Sequence, residues 1–228
     1  MDRFDTVIFD LDGTLLNTLE DLADAVNHAL TFYGMPERTL EEVRRFVGNG
    51  IRNLMRRAVP EGEANPEFEK AFEEFRFYYK EHCNEKTKLY PGVEGMLAEL
   101  KEKGYHLGIV SNKADFAVQE LRELYFKDMV EAAVGEREGI ARKPAKDMVE
   151  QAMREMGATP EHAVYVGDSD VDIQTAANSG IPCISVTWGF RDKEFLREHG
   201  ALHFADTAKE VVGLVEKGLC CCGNSRVR

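Results

Sequence analysis

Apolar residues gather along this chain in short unbroken runs, each ending abruptly in polar or charged positions. "TVIFD" (Thr6–Asp10), "HLGIVS" (His106–Ser111), "AVYVGD" (Ala163–Asp168) and "PCISVTW" (Pro182–Trp188) share this form. The first three lead into segments of helical character. Runs that are apolar on both faces and joined by long crossovers suit the strands of a parallel sheet covered by helices on each side. The pattern predicts an α/β fold with a doubly wound parallel-sheet core. Roughly ninety residues separate the first two runs, far more than one crossover helix needs, and residues 17–88 read almost wholly as helix. They predict an inserted α-helical domain, with residues 1–16 and 89–217 as the core. "YPGV", with Pro91 and Gly92, marks a turn before a helix over Val93–Lys103. Within the insertion, "FEKAFEEFRFYY" (Phe68–Tyr79) spaces aromatic residues at helical period, as an internal packing stripe or a dimer face would. The tail over 218–228, "GLCCCGNSRVR", has no period and reads as frayed.

Composition narrows the classes of function. The 228 residues are 43% hydrophobic and 31% charged, the balance of a chain that buries a core rather than one that stays disordered. A formal charge of −12 runs against nucleic acid or an anionic membrane as partner, since both need a basic face. A small anionic substrate stays compatible, because local cations and a metal override the long-range field. No run reaches the length of a membrane span and "MDRFDTVIFD" does not read as a secretory leader, so a cytoplasmic protein, monomer or homodimer, is expected. The five cysteines lack C-x-x-C spacing, and Cys220, Cys221 and Cys222 in a row do not suit zinc, so reduced thiols are expected. There is neither a P-loop nor a dinucleotide fingerprint.

In open α/β sheets ligands bind beyond the carboxyl ends of the strands, so the residues just after each apolar run carry the information. Here they are Asp10 and Asp12, then Ser111 and Asn112, then Asp168, Ser169, Asp170 and Asp172. Crowded carboxylates repel one another and raise their own pKa values unless a cation sits among them. A divalent metal is therefore implied, and oxygen-only ligands such as Asp10 and Asp168 suit Mg2+. "DSDVDIQTAANS" begins like a calcium loop, but Ile173 stands where that loop needs glycine and Ser179 where it needs glutamate. Lys143, in "ARKPAKD", precedes a helix that Pro144 could open; from there a lysine could reach the anionic cluster and hold a phosphate as a point charge.

"DLDGT" after its apolar strand, "VSN", "RKP" and "GDSDVD" resemble, in order and spacing, the four motifs of the haloacid dehalogenase-like hydrolase superfamily, over a span from about Phe4 to Lys217. The resemblance implies a Rossmann-like core and a phosphoryl-transfer chemistry. Asp10 would be the nucleophile that forms an aspartyl-phosphate, and Asp12 the general acid and then base. Asp10, the backbone carbonyl of Asp12, and Asp168 would hold the metal, with Asp172 behind them orienting water or Lys143. Lys143, Ser111, the Asn112 N–H and Gly13 or Thr14 would hold the phosphate oxygens. The dehalogenases of the superfamily lack an aspartate two residues after the nucleophile, so Asp12 favours phosphoryl transfer.

The insertion resembles the cap of one superfamily subclass, which closes over the site and contacts the rest of the substrate. In "RRFVGNGIRNLMRRA" a glycine loop with Asn49, a candidate substrate contact, precedes a helix opened by Arg52, whose guanidinium could clamp a substrate carboxylate. "VGNG" together with "FDLDGTLLNTLEDL" is similar to the phosphoglycolate phosphatase subgroup. The resemblance implies a Mg2+-dependent phosphomonoester hydrolase acting on a small phosphorylated metabolite, with 2-phosphoglycolate the single best candidate. Rivals within the superfamily are a sugar-phosphate phosphatase, a pyrophosphatase and a phosphohexomutase; Gly167, where mutases carry an acidic residue, favours hydrolysis. An inactive phosphate- or partner-binding module is the rival from a different class.

Overall fold

The computed structural model describes residues 4–48 and 50–219. The expected frayed tail beyond Leu219, with Cys220 to Cys222, and the candidate Asn49 lie outside the described residues. Strands β1 (Thr6–Phe9), β2 (Leu16–Asn17), β3 (Lys88–Leu89), β4 (His106–Ala114), β5 (Ala132–Glu136), β6 (Ala163–Gly167), β7 (Cys183–Val186) and β8 (His203–Ala205) alternate with helices, among them α6 (Asp115–Leu121) after β4 and α9 (Lys193–Glu198) after β7. Six of them form one parallel sheet in the order β5-β4-β1-β6-β7-β8. The doubly wound α/β core expected from the apolar runs is present, with β1 at its centre.

β1 is central because both of its faces are apolar. Val7 and Phe9 enter one cluster with Leu97, Val164 and Val211, while Ile8 enters the opposite cluster with Val149, Met153 and Tyr165. All three β1 side chains are fully buried, each contributing about 1.5–3 kcal/mol by the area it removes from water. α5 (Val93–Glu102) and α10 (Ala208–Lys217) cover the first face, α7 (Asp147–Met156) and α8 (Asp170–Ser179) the second. β5 and β8 had no clear signal in the chain: "AAVGE" is mostly small residues and "HFA" is too short to show a period. α7 begins at Asp147, so Pro144 lies in the loop before it rather than at its first position.

The segment between β2 and β3 is helical, with α1 (Leu19–Phe32), α2 (Leu40–Phe46), α3 (Ile51–Ala58) and α4 (Phe68–His82). These helices surround an apolar cluster of their own, in which Phe68, Phe72, Phe75 and Tyr79 of α4 form the inward stripe. The chain leaves and returns through one antiparallel pair, Leu16 opposite Leu89 and Asn17 opposite Lys88. Buried Asp21 ties the two ends: its carboxylate accepts the Lys86 and Thr87 N–H groups and the Thr87 hydroxyl. Phe190, from the loop after β7, packs into the helical cluster and fastens the lobe to the core.

Candidate active site

β1 and β6 pair with Phe9 opposite Val166, and the Asp10 N–H donates to the Val166 carbonyl at 2.9 Å. This register sets Asp10 and Asp168 side by side where the two strands end. Carboxylate oxygens of Asp10, Asp168 and Asp172 come within 4.8 Å of one another, all three residues buried. Lys143 reaches into the cluster: its Nζ donates to Asp10 Oδ1 at 2.7 Å, to Asp172 Oδ1 at 2.8 Å and to the Tyr165 hydroxyl at 3.1 Å. The loop carrying Lys143 is held by Asn112, whose side-chain carbonyl accepts the Lys143 N–H at 2.8 Å and whose amide donates to the Lys143 carbonyl at 3.1 Å.

Asp172 has little left to offer a ligand. Its Oδ1 meets Lys143 and Tyr165, and its Oδ2 accepts the Asp168 N–H, the Ser169 N–H and the Ser169 hydroxyl, closing the capping box that starts α8. It orients Lys143 and the start of α8, while Asp10 and Asp168 are the carboxylates suited to a metal. Burial foremost, then the neighbouring Asp172, pushes the Asp168 carboxyl up to about 7. Burial also raises Asp10 well above the usual carboxylate range; Lys143 opposes this, and Asp172 and Asp168 reinforce it. For Lys143 burial works to lower the pKa, but Asp10 and Asp172 outweigh it and keep the ammonium charged. Buried, mutually repelling, all-oxygen donors of this kind fit a hard dication.

The cluster lies at the floor of a cleft between the sheet and the helical lobe. Asp12, Ser111 and Asn112 line its core side, and Val47, Ile51 and Leu54 its lobe side. The Ser111 hydroxyl lies 3.4 Å from Asp12 Oδ2. Gly13 and Thr14 do not present donors there. The Gly13 N–H is taken by the Leu16 carbonyl, and the Thr14 hydroxyl, fully buried, by Asp168 Oδ1 at 3.3 Å. Gly13 serves otherwise: its φ of +93° suits glycine, and a Cβ there would press on the Asp168 carboxylate.

Arg52 is a clear correction. Its guanidinium pairs with Glu63 at 3.0 Å and with Glu69 at 2.5 Å, stacks over Phe68 and Phe72, and does not line the cleft. The Phe68 and Phe72 rings and the two glutamates hold the guanidinium against the lobe, apart from the residues that line the cleft. Lys113 is the converse, a cleft residue that the four motifs do not mark. Its Nζ contacts Asp12 Oδ1 at 3.2 Å and the Tyr79 hydroxyl at 2.5 Å. One signal was available: on a strand, Lys113 shares a face with Ser111, two residues earlier. Arg191, which no motif marks, also lines the cleft and donates to the Arg44 and Val47 carbonyls.

Comparison with known proteins agrees with this geometry. The family model for haloacid dehalogenase-like hydrolases matches residues 7–186. The chain belongs to the haloacid dehalogenase-like hydrolase family. It is similar to a phosphoglycolate phosphatase of Pseudomonas putida, 34% identical over 190 residues that cover 81% of this chain and 70% of that protein. A phosphoglycolate phosphatase of Haemophilus influenzae is also 34% identical, with coverage of 82% and 88%. A crystal structure from Lactobacillus delbrueckii subsp. bulgaricus, provisionally named a phosphoglycolate phosphatase, superposes with a TM-score of 0.91 at 36% identity, covering 96% of this chain and all of that one. Within the haloacid dehalogenase-like family this chain is a phosphatase. Among the described residues no helix is long and apolar enough to cross a membrane.

Proposed function

We propose that the chain is a Mg2+-dependent phosphomonoesterase whose substrate is 2-phosphoglycolate, with residues 17–88 acting as a cap over a catalytic core of residues 1–16 and 89–217. The observation that carries this reading is the buried contact of Lys143 with Asp10, 2.7 Å apart at the end of the central strand, with Asp168 alongside. In the proposed reaction an Asp10 oxygen bonds to phosphorus as the ester P–O bond breaks, and Asp12 gives its proton to the departing alkoxide. Asp12 then takes a proton from a water that attacks phosphorus; the Asp10–phosphorus bond breaks and inorganic phosphate leaves. Lys143 offsets the charge gathered between Asp10 and the phosphoryl group. The Ser111 hydroxyl and the Asn112 N–H would hold non-bridging oxygens. Asp10, the Asp12 carbonyl and Asp168 would hold Mg2+, which when bound polarises the phosphoryl group and neutralises charge.

The names of the relatives support phosphoglycolate, and the cleft, its lobe side lined by Val47, Ile51 and Leu54, suits a small substrate shut away from bulk water. Phosphate release from 2-phosphoglycolate with added Mg2+ tests the reading. Wild type is expected to turn over, and Asp10→Asn to lose more than about 1,000-fold in kcat. Equal rates would remove Asp10 from its role.

A further inference from the structure

Lys113 is a buried ammonium that the proposed chemistry leaves without a task. Its side chain is 4% exposed, and its Nζ meets Asp12 Oδ1, the Tyr79 hydroxyl and, at 4.9 Å, the centre of the Tyr79 ring. An ammonium has three protons, and among the described residues there are hydrogen-bond acceptors for two. Burial works to lower its pKa, but Asp12 and Tyr79 outweigh that, so the charge persists. A desolvated lysine is costly to keep unless something needs its charge.

The other cations lining the cleft are already engaged. Lys143 is shared among Asp10, Asp172 and Tyr165. Arg191 donates to the Arg44 and Val47 carbonyls at 3.0 and 2.6 Å and lies 3.9 Å from Asp170. Among the described residues, those that line the cleft from the helical lobe carry no charge.

Position gives Lys113 its meaning. Asp12 protonates the leaving oxygen, so it marks where the organic part of the substrate begins. A carboxylate on the carbon next to that oxygen would lie within about one hydrogen-bond length of it, within reach of a cation in direct contact with Asp12. We infer that Lys113, anchored by Tyr79, is the specificity-determining residue that reads such a carboxylate, which makes phosphate monoesters of 2-hydroxy carboxylates the substrate class. The inference rests on the phosphomonoesterase reading above and adds to it the group that selects.

Two esters with leaving groups of matched size, 2-phosphoglycolate and its neutral amide, isolate the effect. Wild type is expected to favour the carboxylate, and Lys113→Met to reduce that preference, the ratio of the two kcat/KM values, by about 10- to 100-fold. Any disturbance of Asp12 in the variant slows both esters and leaves the ratio in place. If Lys113→Met does not fold, Lys113→Gln, which keeps a donor for Tyr79, is read by the same ratio. An unchanged ratio, or a wild type indifferent to the carboxylate, overturns the inference. Failure of wild type to hydrolyse either ester overturns the reading beneath it instead.

Discussion

Asp168 shows at the residue scale why the site wants a cation. Its carboxyl ionises near 3.8 when unfolded and near 7 in the folded protein. Between those values the folded state binds more protons than the unfolded chain, so this group's contribution to stability falls as pH rises through that window. A dication binding the ionised carboxylate reverses the penalty, most strongly where the penalty is largest. The gain in melting temperature on adding Mg2+ is therefore expected to be greater at pH 8 than at pH 5.5, as thermal unfolding would read; an equal gain at both, or none, would contradict the assignment. Arg52 gives the opposite expectation. Paired with Glu63 and Glu69 outside the cleft, it should tolerate Arg52→Ala with kcat/KM for 2-phosphoglycolate within about 3-fold of wild type. What separates Arg52 from Lys113 showed in the chain only as the strand face that Lys113 shares with Ser111. Arg52 follows a glycine loop and looks placed for a ligand, but Glu69 and the α4 rings claim it in three dimensions. Lys113 looks like an ordinary lysine after a motif until Tyr79, 34 positions earlier, closes over it.

Among the elements, the loop after β7 does more than its sequence announced. The Phe190 N–H donates to Asp168 Oδ2 at 2.6 Å, while the Phe190 ring sits in the apolar cluster of the helical lobe. Gly189 makes that approach possible, since a Cβ there would collide with the Asp168 side chain and the Gly13 carbonyl. Gly189→Ala should push Asp168 aside and weaken Mg2+ binding by about 10- to 100-fold, seen as a higher Mg2+ concentration for half-maximal activity. An unchanged Mg2+ dependence would show that the loop yields instead. The strands were easier to foresee than this loop. β1, β4, β6 and β7 are buried on both faces and so leave apolar runs, and the first three runs give way to Asp10, to Ser111 and Asn112, and to Asp168. A loop whose task is to bridge two layers has no period to betray it.

At the scale of the whole molecule, two lobes meet over the cleft and are held by a small set of contacts. Arg191 bonds the carbonyls of Arg44 and Val47, Arg44 returns a bond to the Gly189 carbonyl, and Lys113 meets Tyr79. If the helical lobe acts as the proposed cap, these contacts would set how firmly the cleft closes. Arg191→Ala should raise KM several-fold and quicken amide exchange around α2 while leaving the central strands protected, as hydrogen-exchange mass spectrometry would show. Unchanged exchange there would place the restraint elsewhere. With a formal charge of −12 the field of the protein repels anions, and Lys113, Lys143 and Arg191 are the cations that line the cleft. In the proposed reaction Asp10 is transiently phosphorylated. Mixing the enzyme with 2-phosphoglycolate and Mg2+, quenching in acid within one turnover, reducing with borohydride and sequencing the peptides by mass spectrometry tests it directly. Conversion of residue 10 to homoserine is the predicted result, and an unmodified Asp10 beside a reduced aspartate elsewhere would contradict it.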